Sequence, residues 1–112
     1  MMHWISRIGM NYNQYEIVIV NLNPTVDSEI QKTRPCLIIS PNEMNFSNII
    51  VAPMTSTNKD YPTRVKIKDD SYVVLDQIRT ISIERVMSKT SMKLTQKQIK
   101  IIKNTIKIML VD

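Results

Sequence analysis

The side chain best placed to do chemistry is Arg34. Pro35 follows it, and a proline ring disfavours helical dihedrals in the preceding residue. Arg34 is therefore expected to be extended at the mouth of the apolar run Cys36-Leu37-Ile38-Ile39. A guanidinium held there presents five donors in a planar fork that matches a phosphate. The same position suits an arginine that caps loop carbonyls or pairs with Glu29, and position alone favours that plainer use. A second donor, Thr55, follows Pro53-Met54 at the end of another apolar run, where it can equally be an ordinary β-former.

Other chemistries are excluded by residue type. His3 is the only histidine and falls in the first ten residues, which read as a possible disordered extension. A paired-histidine mechanism and a Ser-His-Asp triad both lack their base. No Cys/His cluster suits zinc, and Asp69, Asp70, Asp76 and Glu84 lack the convergent spacing of a two-metal site. Cys36 stands alone at a strand start, where a small buried hydrophobe is expected, and it calls for no oxidising compartment. No apolar stretch approaches membrane-span length and the N-terminus lacks a signal-peptide core, which points to a cytoplasmic protein with no membrane partner.

The elements that must position these groups follow from patterning. The chain of 112 residues is expected to form one domain, with Met10 a possible alternative start. Glu16 to Leu22, Pro35 to Ser40 and Asn48 to Met54 read as strands, the first rich in β-branched residues and buried on both faces. Pro53 implies that its ladder is already opening. Thr63 to Lys68 alternates, with Val65 and Ile67 facing one way and Arg64, Lys66 and Lys68 the other. Val73 to Thr80 is expected to be one continuous fifth strand and Ile83 to Met87 a short sixth. With a single glycine in the chain, turns must be built from Asn23-Pro24, Pro41-Asn42, Asn58-Lys59-Asp60 and Asp69-Asp70-Ser71.

Thr95 is the expected N-cap of a helix from about Gln96 to Leu110, with Ile99, Ile102, Ile106, Met109 and Leu110 on its buried stripe. Ile101 and Ile108 lie off that stripe and are candidates for a dimer or partner contact. Strands followed by one helix give a mainly β (α+β) protein, a small bent antiparallel sheet.

Charge favours a polyanionic partner. The formal balance is +5, and the seven basic residues between Arg85 and Val111 have no acidic neighbour within that span. They would steer an RNA strand or an acidic protein tail, although a solvated helix face is the commoner fate of spaced lysines. Aromatic content is 5%, low for recognition by stacking alone.

Three ordered motifs sharpen this. Asn21-Leu22-Asn23-Pro24 with Ser28-Glu29 and Arg34-Pro35, then Val51-Ala52-Pro53-Met54-Thr55-Ser56, then Leu75-Asp76-Gln77-Ile78-Arg79-Thr80, together resemble the MazF/PemK toxin family over about residues 14 to 110. One departure is Asp27, where the family usually has glycine. The resemblance implies an SH3-like small barrel of about five to seven antiparallel strands with a C-terminal helix, the fold shared by MazF and CcdB.

It also implies a type II toxin that cuts single-stranded mRNA at short sequences without cofactor or metal. In that chemistry the substrate's own 2′-hydroxyl attacks the adjacent phosphate, giving a 2′,3′-cyclic phosphate and a 5′-hydroxyl. The matching positions make Arg34 and Thr55 catalytic. Arg34 acts through charge, since a guanidinium is a poor base. RNA-binding positions are then Ser28, Glu29, Ser56, Thr57, Lys59, Asp76, Gln77 and Arg79, with Glu29 orienting Arg34 or reading a base and Gln77 reading a base edge. Other branches of the family use a loop histidine and an Arg-x-Asp pair; here Ser28, Val74 and Asp76 occupy those places, so the Arg/Thr arrangement fits better.

The implied partners are a second copy of the chain and a MazE-like acidic antitoxin. Two alternatives stand beside this reading, a CcdB-like gyrase poison and a non-catalytic nucleic-acid-binding SH3-like module. The first is disfavoured because CcdB ends in Trp-Gly-Ile, whereas this chain ends Ile108-Met109-Leu110-Val111-Asp112.

Overall fold

The computed structural model describes residues 11–22, 33–57 and 60–111. Seven strands, β1 (Glu16–Asn21), β2 (Thr33–Ile38), β3 (Asn48–Thr55), β4 (Arg64–Lys68), β5 (Ser71–Val74), β6 (Arg79–Ser82) and β7 (Val86–Lys93), precede one helix, α1 (Gln96–Leu110). All registered pairs are antiparallel, in the order β4-β5-β3-β2-β1-β7, with β6 also on β3. The result is the mainly β, SH3-like small barrel with a C-terminal helix that the sequence implies.

β3 is the hub. One of its edges carries β2 through Cys36↔Pro53, Leu37↔Ala52 and Ile38↔Val51. Its other edge is shared by β6, from Asn48 to Val51, and β5, at Met54 and Thr55. This sharing corrects the expectation of one strand from Val73 to Thr80. A 3₁₀ turn, Leu75–Gln77, separates β5 from β6 and packs on β3. The chain must travel from one end of β3 to its middle, and the fully buried Leu75 anchors that step.

β7 corrects a second expectation. A 3₁₀ turn occupies Ile83–Arg85, and the strand runs on to Lys93, paired with β1 across two register irregularities. Its mostly exposed side chains carry little alternation, so only the backbone ladder with β1 defines it.

Alternate side chains feed two apolar clusters. Val18, Val20, Cys36, Ile38, Ile49, Val51, Ile81 and Ile83 form the first with Tyr12. The second gathers Ile17, Leu37, Ala52, Met54, Val65, Ile67, Val73 and Leu75, and α1 completes it with Ile102. Thus β1 is buried on both faces, as its unbroken apolar run requires.

The helix begins where expected. Thr95 Oγ1 accepts from the Gln98 amide at 3.1 Å, and Gln98 Oε1 accepts from the Thr95 amide at 2.9 Å, a reciprocal capping box. Gln98 Nε2 also donates to the Ile67 carbonyl at 2.5 Å, tying the first turn to β4. Ile106 and Met109 join Ile102 on the core. Leu110 leaves the expected stripe and is 61% exposed; Ile101 and Ile108 are exposed too. No described helix is long and apolar enough to cross a membrane.

Two of the glycine-free turns use aspartate in the left-handed region, Asp60 at φ 40° and Asp70 at φ 62°. Asp tolerates that conformation better than most residues. Tyr15, at φ 70°, was not foreseen; its amide donates to the Ile38 carbonyl at 2.7 Å and its ring packs against the second cluster.

Thr95→Ala removes the cap and is expected to cost about 1 kcal/mol, whereas Ile102→Ala empties a fully buried site and is expected to cost about 2–4 kcal/mol. Urea unfolding of the two variants beside the parent checks both values; equal losses would contradict the assigned roles.

Candidate functional site

Cys36↔Pro53 is the last registered pair between β2 and β3. Pro53 has no amide hydrogen to continue the ladder, so the two strands open beyond it. Carrying the same register two residues further sets Arg34 opposite Thr55, on the face that holds Cys36 and Pro53. On β1, Val20 is the registered partner of Arg34. The first apolar cluster therefore ends in a polar rim containing Arg34 and Thr55.

Arg79 belongs to the same rim. It pairs with Val51 and shares a face with Ile81, a member of the first cluster. Electrostatics agree with that placement. Burial pushes the Cys36 thiol up to about 12, and the Arg79 and then the Arg34 guanidinium pull it down. Both cations thus act on one sulfur from the open end of the cluster. The Cys36 Sγ lies 3.7 Å from the Arg34 carbonyl oxygen, and the residue is fully buried, which makes it the packing cysteine expected.

Thr55 Oγ1 accepts a hydrogen bond from the Thr57 amide at 3.2 Å. Its own O–H is left available to donate across the rim. Thr57 is held in turn by Arg64, whose Nη1 donates to the Thr57 carbonyl at 2.7 Å. Ser56 and Thr57 are exposed beside Thr55. Asp76 and Gln77, also exposed, lie in the 3₁₀ turn that crosses alongside Ala52 and Pro53, between the β5 and β6 pairings.

Of the residues chosen from sequence, Arg34, Thr55, Ser56 and Thr57 lie at the open end of the β2–β3 pairing, Asp76 and Gln77 in the turn beside Ala52 and Pro53, and Arg79 opposite Val51 in the middle of β3. Ser28, Glu29, Lys59 and Asp27 lie outside the described residues. Sequence reasoning overlooked Tyr72, the registered partner of Thr55, and Lys66, the partner of Tyr72. Arg64, on the face of β4 opposite Val65 and Ile67, is half-buried and holds the Thr57 carbonyl after Thr55. Alternation did show Arg64 and Lys66 on one face; it could not show that β5 joins that face to Thr55.

Chemically, the rim holds groups of the kind that can meet a phosphodiester. Two guanidinia and a hydroxyl stand on strands beside an apolar cluster, and the small polar side chains follow in the segment after β3 and in the 3₁₀ turn. The fold is a small, mainly β barrel whose rim carries two arginines and a threonine.

Comparison with known proteins narrows that class. A protein-family model described as PemK-like, MazF-like toxin of type II toxin-antitoxin system matches residues 13–110, and the chain belongs to that family. Among solved structures, MazE-MazF (Form-III) from Deinococcus radiodurans superposes with a TM-score of 0.75 at 19% identity, covering 90% of this chain and 97% of that one. An endoribonuclease in complex with its cognate antitoxin from a mycobacterial species gives 0.73 at 18% identity, with 89% and 95% covered. Mycobacterium tuberculosis toxin MazF-mt6 gives 0.67 at 24% identity, with 83% and 93% covered. Comparison with curated proteins returns no sequence match.

The Cys36 shift carries a stability consequence. The thiol ionises near 9.0 in the unfolded chain and near 12 in the fold. Its contribution to stability is intact below the lower value and is lost as pH rises towards the upper one. Wild-type protein is expected to lose stability faster than Cys36→Ala from about pH 9 upwards, by at most about 1.4 kcal/mol per pH unit. Denaturant melts of both proteins at stepped alkaline pH measure the difference; parallel curves would contradict it.

Proposed function

We propose that the protein is the toxin of a type II toxin–antitoxin pair and acts as an endoribonuclease on single-stranded mRNA. The observation that carries this reading is the β2–β3 register, which brings Arg34 and Thr55 to one rim where the ladder opens at Pro53. An RNA strand laid along the rim presents a phosphate to Arg34 and its 2′-hydroxyl in line with that phosphate. Attack by that oxygen closes a 2′,3′-cyclic phosphate and expels the 5′-oxygen of the next nucleotide. The guanidinium of Arg34 and the Thr55 hydroxyl stabilise the charge that builds on the phosphorane. Arg79 adds positive potential, and Ser56, Thr57, Asp76 and Gln77 are set to meet the flanking bases.

The chain's residue types support a metal-free course, because its lone histidine and scattered carboxylates offer neither a paired-imidazole nor a two-metal site. Glu29, Ser28 and Lys59 are further candidates for RNA contact on the family resemblance alone. We further assign the working form to a homodimer whose groove holds either RNA or the C-terminal segment of an acidic antitoxin; the basic run from Arg85 to Val111 favours both polyanions.

Purified protein in EDTA is expected to cut a long transcript into fragments ending in 2′,3′-cyclic phosphate. Arg34→Ala and Thr55→Ala are each expected to lower the rate by about 10²- to 10³-fold, while Thr55→Ser keeps most of it. Primer extension maps the cuts and their rates, and undiminished cutting by Arg34→Ala would overturn the assignment.

A further inference from the structure

The row of side chains that begins at Arg34 does not stop at Thr55. Thr55 pairs with Tyr72 and Tyr72 with Lys66, so the row continues on the same face across β3, β5 and β4. It ends at a surface hollow of about 420 Å³ lined by Asp60, Tyr61, Pro62, Arg64, Lys66 and Tyr72. A volume of that order accommodates a nucleoside-sized group.

The aromatic content of this hollow is unusual for the chain. Of its four tyrosines, Tyr12 and Tyr15 are committed to the core clusters, and the other two, Tyr61 and Tyr72, both line this single depression. Tyr61 is 53% exposed and belongs to neither core cluster. The Arg64 guanidinium stands 5.6 Å from the centre of the Tyr61 ring, and its Nε is buried with no hydrogen-bond partner among the described residues. A buried donor without a partner is costly to keep. Arg64 nevertheless occupies this place, held by Thr57 at its other end.

Charge is mixed but favours an anion. Arg64 and Lys66 line the hollow together with Asp60, and Lys66 is 3.2 Å from Asp69 in a pair whose side chains are 58% and 96% exposed. Such an exposed pair is weak enough to exchange partners.

Resting on the ribonuclease reading above, we infer that the hollow is a nucleotide subsite. The base of a nucleotide flanking the scissile phosphodiester stacks on Tyr61 and Tyr72, while Arg64 and Lys66 take its phosphate. Stacked aromatics beside cations suit a nucleobase, which offers a flat face whatever its identity. An acidic peptide would use the cations and leave the rings idle. Because Arg64 also holds the Thr57 carbonyl, an occupied subsite bears directly on the loop that follows Thr55.

The test uses wild type, Tyr61→Ala, Tyr61→Phe and Lys66→Ala, each checked for an unchanged thermal melt. Oligoribonucleotides carrying the mapped cleavage sequence are extended by one nucleotide at a time on either side of the cut. In wild type one added nucleotide is expected to improve kcat/KM by about tenfold. Tyr61→Ala loses that gain through KM, with kcat within about twofold; Tyr61→Phe retains it, and Lys66→Ala weakens it in a salt-dependent way.

A non-cleavable 2′-O-methyl oligonucleotide with 2-aminopurine at successive positions reads binding without activity. Quenching is expected at one position and should vanish in Tyr61→Ala. Wild-type cleavage with no length at which Tyr61→Ala differs, or quenching unchanged in that variant, would overturn the subsite and leave the ribonuclease reading standing. Displacement of the probe by an acidic peptide that binds wild type and Tyr61→Ala equally would also overturn it. A wild type that binds the probe with the expected quench yet cuts nothing would retire the ribonuclease reading and keep the subsite.

Discussion

The structure turns on the pairing of β2 with β3. Three registered pairs, ending at Cys36↔Pro53, decide which residues share a face, and a shift of one residue would send every side chain beyond them to the opposite side. The pairing is protected where it matters. Cys36, Leu37, Ile38, Val51 and Ala52 are all fully buried, so slippage would expose apolar groups on both faces at once. Pro53 then ends the ladder by lacking a donor, and the strands part at the point where Arg34 and Thr55 project. A rigid core and an open rim thus come from consecutive residues of the same two strands.

The rest of the molecule keeps that junction in place. β1 covers the far edge of β2 and sends Ile17 to one cluster and Val18 and Val20 to the other. β5 and β6 divide the remaining edge of β3, with the buried Leu75 fixing the turn between them. The helix closes the second cluster through Ile102 and is clamped at its start by the Thr95–Gln98 box. The rim's polar groups are held by short links, Thr55 to Thr57 and Thr57 to Arg64. Those links join the proposed catalytic threonine to the tyrosine-lined hollow in two steps.

Much of this was legible in the residues because it is local. β-branched runs marked β1 and β3, alternation marked β4, and Thr95 with the isoleucine spacing marked the helix to the residue. Arg34 stood out by its proline neighbour, and Cys36 by its place in an apolar run. Non-local features were not legible. Val73 to Thr80 alternates well enough to pass for one strand, and only the competition of β5 and β6 for β3 forces the 3₁₀ turn at Leu75–Gln77. β7 has too polar a sequence to announce itself, and its existence depends on β1 alone. The part that Tyr72 and Lys66 play was hidden for the same reason, since their relation to Thr55 arises from strand pairing across β5.

The most direct test of the central claim is a crosslink between β2 and β3. In a Cys36→Ala background, Arg34→Cys combined with Thr55→Cys puts two thiols on one face at the mouth of the pairing, the next same-face positions after Cys36↔Pro53, and a disulfide requires their Cα atoms to come within about 7 Å. Mild oxidation followed by mass spectrometry is expected to show rapid intramolecular closure of this pair, with Arg34→Cys combined with Pro53→Cys closing much more slowly. Failure of the first pair to close, or faster closure of the second, would contradict the register and with it the shared rim of Arg34 and Thr55.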